Sequence, residues 1–340
     1  MKIAALGRTR WLYDAIMLAA AAGHEIVLIG TCPAAPEYTR GAHDFEALAK
    51  SLGCPFFNDT NINDERYVRL ARESRAEIGI SVNWLTLIGR ELIDAFPRGI
   101  INAHAGDLPR YRGNACPNWA ILNGEPEVVV TLHLMATELD AGPILLKRPI
   151  ALTDTTYIGD VYRALDRMIP EMFVAVLDGL VAGSITPRPQ AADPRESLRC
   201  YPRLPRDGEI AWERDAEEIV RLVRASAEPF AGAFTHLDGE RLTVWRARSA
   251  TQVAPYCAVP GQVAWVDRRT GEVAVIAGRD IVIIEEAEGA KRGPAADLIR
   301  SARTRLGLEV GKELARLRAE LEALRARVQP GAGSLEDGCG

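Results

Sequence analysis

Residues 2–29 read KIAALGRTRWLYDAIMLAAAAGHEIVLI, and this stretch decides the fold. Lys2–Leu6 is a short apolar run, Trp11–Ala22 is rich in helix formers, and His24–Ile29 contains a second apolar run. Continuous apolar runs of strand length belong to strands covered on both faces, as in parallel sheets. Two such strands joined through a helix make a βαβ unit, whose strands are parallel. Gly7 follows the first strand, yet the GxGxxG pattern that brings a helix N-terminus against a pyrophosphate is absent, as is a Walker A sequence. The stretch therefore predicts a Rossmann-like sheet without a dinucleotide site.

The same grammar continues outward. Asp44–Leu52 and Asn63–Ser74 predict helices, the second with Asp64 and Glu65 in its first turn, where the helix dipole favours anions. Glu77–Val82 and Gly99–Ala103 predict further strands of a doubly wound parallel sheet. Val128–Leu134 and Pro143–Arg148 read as strands around a turn at Leu139–Gly142. A helix over Tyr157–Gly179 is expected to break or kink near Pro170. Pro187, Pro189, Pro194, Pro202 and Pro205 mark a linker, placing a catalytic domain at 1–190 and the linker at 191–206.

Residues 207–308 follow different rules. After a helix at Ala216–Ala227, short strands are expected at Ala233–Leu237, Leu242–Arg246, Gln262–Val266, Val273–Ala277 and Ile281–Ile284. Asp238-Gly239 between the first two is a type I′ hairpin signal. Short strands at this spacing predict a small OB-like β-barrel. Within 309–328, Val310, Leu314, Leu317, Leu321, Leu324 and Val328 recur alternately four and three residues apart, the seam of a heptad helix. Such a helix either packs on its own barrel or joins two chains. The charges on its other faces point to the second, so a homodimer through residues 310–328 is expected. Residues 329–340 are expected to be a disordered tail.

Composition narrows the class. The chain has 340 residues, 48% of them hydrophobic, and a net charge of −5, which suits a cored globular protein and not a general nucleic-acid binder. The N-terminus lacks the pattern of a signal peptide, and Ala15–Gly23 is too short to span a bilayer. Cys32, Cys54, Cys116, Cys200, Cys257 and Cys339 are scattered without a CxxC pair, as in a reduced protein. A cytoplasmic location without a membrane partner is the expectation. His24, His43, His133 and His236 have no Cys or carboxylate at ligand spacing, so no metal is expected.

The chemistry concentrates in residues 100–142. Asn102 and His104 leave one face of a strand, at the end where open α/β sheets bind ligands. Asp140 lies in a turn from which it can approach the imidazole. The loop between them, with Gly106, Pro109, Arg110, Arg112 and Gly113, suits a shaped surface around a site better than a core. Amide, imidazole and carboxylate form the set that acyl transfer needs without a covalent intermediate.

These residues carry a resemblance. Asn102-Ala103-His104, Leu108-Pro109-Arg110-Tyr111-Arg112-Gly113 and Asp140-Ala141-Gly142 resemble, in order and separation, the Asn-x-His, Leu-Pro-x-Tyr-Arg-Gly and Asp-x-Gly motifs of the folate-dependent formyltransferases. That family includes methionyl-tRNA, glycinamide ribonucleotide and sugar-nucleotide formyltransferases. Asp207–Trp212 and Arg224–Phe234 resemble its C-terminal domain, so the likeness covers residues 1–308 and leaves out the heptad helix.

The resemblance implies 10-formyltetrahydrofolate as donor, its pterin beside Ser81–Ile88 with Trp84, Leu85, Leu87 and Ile88 as walls and Arg112 and Gly113 at the same ligand. It implies Asn102 as oxyanion donor, His104 as proton shuttle and Asp140 as the anion that orients His104. Gly106, Asp107, Tyr111 and Asn114 fall on the acceptor side. The family commonly has Ser-Leu where this chain has Gly106-Asp107, a departure that bears on the acceptor pocket. Residues 201–330 hold 21 basic and 20 acidic side chains, a weak electrostatic footprint for RNA. Asn114–Ala120 and Val130–Met135 look more like the sugar-nucleotide enzymes. A nucleotide-linked amino sugar is therefore the expected acceptor. Methionyl-tRNA, or water in a formyltetrahydrofolate hydrolase, are the alternatives.

Overall fold

A computed structural model describes residues 1–35, 38–191, 193–251 and 256–328. The tail at 329–340 lies outside the described residues. Contacts divide the chain into two units, one of Met1–Asp207 with Arg224–Ala231 and one of Gly208–Val223 with Gly232 onward. The stretch 191–206, expected as a linker, falls within the range of the first unit.

The chain order is β1 (Lys2–Gly7), α1 (Arg10–Ala21), β2 (Glu25–Thr31), α2 (Ala42–Leu52), β3 (Phe56–Asn58), α3 (Glu65–Glu73), β4 (Ile78–Val82), α4 (Arg90–Ile93) and β5 (Ile100–His104). Then come β6 (Arg112–Gly113), α5 (Cys116–Leu122), β7 (Glu127–Leu134), β8 (Ile144–Ala151), α6 (Ile158–Val181) and β9 (Arg199–Cys200). Seven strands form one sheet in the order β3-β2-β1-β4-β5-β7-β8. The first five are parallel, and β7 and β8 run antiparallel to their neighbours. The sheet is therefore Rossmann-like and dominated by parallel pairs, with an antiparallel hairpin at one edge. The stretch from Met135 to Pro143 is too short for the crossover that a parallel pair requires.

Helices cover both faces of this sheet. Leu12 and Ile16 of α1, Phe45 of α2 and Leu165 and Phe173 of α6 belong to one core cluster, and Val68 of α3 and Leu92 of α4 to the other. α6 continues through Pro170 without the break that, with a kink, was the expectation there. Ile169, Pro170, Met172 and Phe173 are all buried there, and that burial offsets the lost backbone hydrogen bond. Phe173 is fully buried, so Phe173→Ala is expected to cost about 3–5 kcal/mol in urea unfolding. A loss well under that would contradict close packing at α6.

Strand order reverses between β1 and β4, which opens a crevice at the carboxyl ends of the strands. β5, ending in His104, lies next to β4.

The second unit contains most of α7 (Ala216–Ser226), followed by β10 (Ala233–Leu237), β11 (Glu240–Ala250), β12 (Val263–Asp267), β13 (Glu272–Ile276), β14 (Ile281–Glu288), β15 (Arg292–Pro294), α8 (Ala295–Leu298) and α9 (Val310–Val328). β10 and β11 form the expected hairpin, with Asp238 and Gly239 both at positive φ as a type I′ turn requires. The strands form an antiparallel sheet in the order β10-β11-β14-β13-β12, with β15 paired to β14. Among the described residues no ladder joins β10 to β12, so hydrogen bonds do not close a barrel. Trp212 anchors this unit, buried and donating from Nε1 to Thr235 Oγ1 at 2.9 Å. No helix of the described residues is long and apolar enough to cross a membrane.

Candidate active site

β5 pairs with β7 in a register that sets Asn102 opposite His133 and His104 opposite Thr131. Asn102 Nδ2 donates to His133 Nε2 at 3.2 Å, and His133 Nδ1 donates to the Leu134 carbonyl at 2.8 Å. These bonds select the neutral tautomer with its proton on Nδ1. Burial, reinforced by the neighbouring His104, pushes the His133 imidazole down to about 4. His133 is therefore a neutral acceptor near pH 7.

That depression has a consequence for stability. Between its ordinary value of 6.5 and about 4, the unfolded chain binds a proton at His133 that the folded chain does not. Stability is accordingly lost as pH falls through this window, by at most about 1.4 kcal/mol per pH unit, and this contribution is flat above it. His133→Asn should flatten that part of the slope in urea midpoints measured at pH 7 and pH 5. An unchanged slope in the variant would remove His133 as its source.

Asp140 sits in the turn before β8 at a φ of 50°. Its Oδ2 accepts the Gly113 N–H at 2.9 Å and lies 3.6 Å from His104 Nδ1, and its Oδ1 lies 3.7 Å from His133 Nε2. Gln190 Nε2 donates to the carbonyls of Asp140 and Gly142, each at 2.7 Å, and Arg112 Nη2 donates to Gln190 Oε1 at 2.7 Å. One carboxylate thus stands between two imidazoles, in a turn that Gln190 clamps.

His104 is buried, with Nε2 2.6 Å from the Tyr111 carbonyl oxygen. A carbonyl only accepts, so Nε2 carries hydrogen and Nδ1, facing Asp140, is the nitrogen left to gain or lose a proton. The Cys116 thiol donates to the same carbonyl at 2.9 Å. Burial pushes that thiol well above its ordinary range, which argues against a thiolate nucleophile.

Gly106 makes this arrangement fit. A Cβ there would lie 2.4 Å from His104 Nε2 and 2.3 Å from the Tyr111 carbonyl oxygen. Any side chain at 106 must move the ring or the loop. If His104 is a reacting group, Gly106→Ala is expected to lower kcat by roughly 10²-fold, the typical cost of ångström-scale misplacement. Steady-state kinetics would check this, and an unchanged kcat would show that the ring position does not matter.

Asn102, His104, His133 and Asp140 line one cavity of about 490 Å³. Trp84, Leu85, Leu87, Ile88, Gly113 and Asn114 line it too. Leu85 and Leu87 are 50% and 65% exposed, which leaves apolar surface open beside the polar cluster. Ile88 is buried, and the buried Trp84 Nε1 has no hydrogen-bond partner. A second cavity of about 380 Å³ shares Trp11, Asn83 and Tyr162 with the first and adds Tyr38, Phe230, Arg10 and Arg163.

The other expected site residues lie elsewhere. Gly106, Asp107 and Tyr111 line a cavity of about 200 Å³ with Arg110 and Glu125. Asp107 pairs with Lys147 at 2.6 Å, and Tyr111 Oη donates to Glu125 Oε1 at 2.7 Å. Arg112 turns to Gln190. His133 and Gln190 were missed as parts of the site. Only the β5–β7 register exposes the first, and the second sits among the prolines of a supposed linker. Among the described residues no cluster of three or more His, Cys, Asp or Glu could hold a metal ion.

Comparison with known proteins agrees with this architecture. The formyl transferase family model matches residues 1–177, and the formyl transferase C-terminal domain model matches residues 204–303. HypX from Aquifex aeolicus, solved in complex with tetrahydrofolic acid, is 19% identical over 89% of this chain and 47% of its own, with a TM-score of 0.58. The chain therefore spans about half the length of HypX. An N-formyltransferase from Helicobacter canadensis, in complex with folinic acid and dTDP-3-aminofucose, is 13% identical over 86% of this chain and 100% of its own, with a TM-score of 0.64. WlaRD, a sugar 3N-formyl transferase solved in the presence of dTDP and 5-N-formyl-THF, is 15% identical over 85% of this chain and 98% of its own, with a TM-score of 0.60. At these identities the solved structures speak for the fold, while the family model spans more than half of the sequence. The chain belongs to the formyl transferase family, the family its motifs resemble.

Proposed function

We propose that the chain transfers a formyl group from 10-formyltetrahydrofolate to the amino group of a nucleotide-linked amino sugar. The observation that carries this reading is the convergence of Asn102, His104 and Asp140 on a cavity that Trp84–Ile88 also wall. A folate fits the residues present. Leu85 and Leu87 offer open apolar surface beside the polar cluster of Asn102, His104 and Asp140, the mix of walls that a polar heterocycle takes. HypX was solved with tetrahydrofolic acid and the Helicobacter enzyme with folinic acid, which supports the same ligand class here.

When bound, the folate supplies an activated formyl carbon. Asn102 directs one amide N–H to His133, which fixes the plane of the amide and leaves the second N–H to donate to the formyl oxygen, where negative charge would develop. His104 would take a proton from the attacking amine at Nδ1, with the Asp140 carboxylate stabilising the imidazolium, and would return that proton to the folate nitrogen as its bond to the formyl carbon breaks, which leaves His104 neutral. Gly113 and Gln190 hold Asp140 in place. Gly106, Asp107 and Tyr111 act one layer back, setting the position of His104 and its loop, and Arg112 acts through Gln190.

The acceptor reading is supported by the second cavity. Trp11, Tyr38, Tyr162 and Phe230 suit stacking on a planar base, and Arg10 and Arg163 line the same cavity together with Asp166 and Glu228. The Helicobacter enzyme was solved with a dTDP-linked amino sugar. Turnover of 10-formyltetrahydrofolate, followed with and without an amino-sugar nucleotide, tests the reading. Turnover that depends on the amine is the expected result. Equal formate release without it would make the protein a hydrolase.

A further inference from the structure

The first turn of α9 lies near the Asp238-Gly239 turn, where a Cβ on Gly239 would meet Glu313 Oε2 at 3.0 Å. From Leu314 to Arg327 every side chain of α9 is exposed. Val310, Leu314, Leu317, Leu321 and Leu324 are 59%, 48%, 47%, 48% and 55% exposed, so the seam does not pack on its own chain. Most of the stability of a helix in a protein comes from packing its apolar face, and among the described residues this face packs on nothing. This stripe therefore needs a partner.

The charges beside the seam say which partner. Leu314 and Leu321 occupy a positions and Val310, Leu317 and Leu324 occupy d positions, which puts Glu313 and Glu320 at g and Arg318 and Arg325 at e. We infer that α9 pairs with α9 of a second copy of this chain as a parallel, in-register coiled coil. In that alignment the g residue of one helix faces the e residue of the next heptad of the other. Glu313 faces Arg318 of the partner subunit, and Glu320 faces Arg325 of the partner subunit, each pair occurring twice by symmetry. In the antiparallel alignment that preserves the whole seam, Glu320 would face Glu320 of the partner subunit and Arg318 would face Arg318 of the partner subunit, and only Glu313 against Arg327 of the partner subunit would attract, twice by symmetry, against four attractive pairs in the parallel form. Like charges at those flanks oppose that arrangement. Within one helix, Arg316 at the outward c position binds Glu313 and Glu320, which stiffens the helix without using the e-position arginines.

Sedimentation of the full chain tests this at micromolar concentration. The wild type should run at twice the chain mass. Leu317→Asp with Leu321→Asp should run at the chain mass, as should Glu313→Arg with Glu320→Arg. Adding Arg318→Glu and Arg325→Glu to the second variant should restore the dimer. Orientation is read from Leu324→Cys in a Cys257→Ser, Cys339→Ser background. A parallel pair brings the two introduced thiols together and gives a cross-linked dimer on oxidation, whereas an antiparallel pair sets them at opposite ends of the seam. A monomeric wild type, or a dimer that survives Leu317→Asp with Leu321→Asp, would overturn the interface. A dimer that does not cross-link through Leu324→Cys would overturn its direction. Because α9 is exposed, unchanged far-ultraviolet dichroism of the remainder and an unchanged melting profile are expected in each variant.

Discussion

Replacing His104 with alanine is expected to lower kcat for formyl transfer by about 10²–10⁴-fold, the usual contribution of a positioned acid–base group. The ring is held from two sides. Nε2–H is committed to the Tyr111 carbonyl at 2.6 Å, and Nδ1 faces the Asp140 carboxylate at 3.6 Å. The proton of the attacking amine therefore has one imidazole nitrogen to reach, already beside a counter-ion. Alanine removes that acceptor and leaves the carboxylate with Gly113 and the neutral His133 for company. The loss should fall on kcat, with little change in KM for the folate, because the role proposed for His104 is at the reacting end and not on the wall at Trp84–Ile88. Steady-state kinetics with both substrates varied would measure the split. A His104→Ala enzyme with wild-type kcat would remove the proton shuttle from the account.

Asn102→Ala is expected to cost about 10²–10³-fold in kcat, as for the loss of one oxyanion donor. The amide does two things at once. One N–H orders the amide against His133, and in the proposed reaction the other meets the oxygen that becomes negative. The variant also leaves buried His133 Nε2 without its donor, which should lower folding stability by about 1–3 kcal/mol. The two effects separate experimentally, since kcat is read on folded enzyme well below the melting temperature and stability in urea. Asn102→Asp keeps the shape but puts an anion where negative charge develops, so it should be no more active than the alanine variant. Turnover of Asn102→Ala near that of wild type would place the oxyanion donor elsewhere.

Much of this architecture was legible in the sequence wherever its physical cause is local. The βαβ unit of residues 2–29 declares itself by apolar runs of strand length around a helix. Asp238-Gly239 declares its hairpin because few residues accept positive φ at both turn positions. The Asn102-x-His104 spacing puts both side chains on one face through strand geometry alone. Other features depend on pairings distant in sequence. The antiparallel edge formed by β7 and β8 was signalled only by loop length. Pro170 stays within α6 because its neighbours are buried, which a local rule about proline cannot see. His133 looked isolated until the β5–β7 register placed it against Asn102, 31 residues away. Gln190 binds the Asp140 turn from a proline-rich stretch whose composition suggested a linker. Gly106 reads in the sequence as a departure on the acceptor side, whereas its contact distances make it the space in which His104 sits.

The most direct test is to incubate the protein with 10-formyltetrahydrofolate and a mixture of amino-sugar nucleotides and methionyl-tRNA, then find the formylated product by mass spectrometry. The account predicts that one amino-sugar nucleotide gains a single formyl group on its amine and that methionyl-tRNA remains unmodified. Formylation of methionyl-tRNA alone, or free formate with every acceptor unchanged, would contradict it.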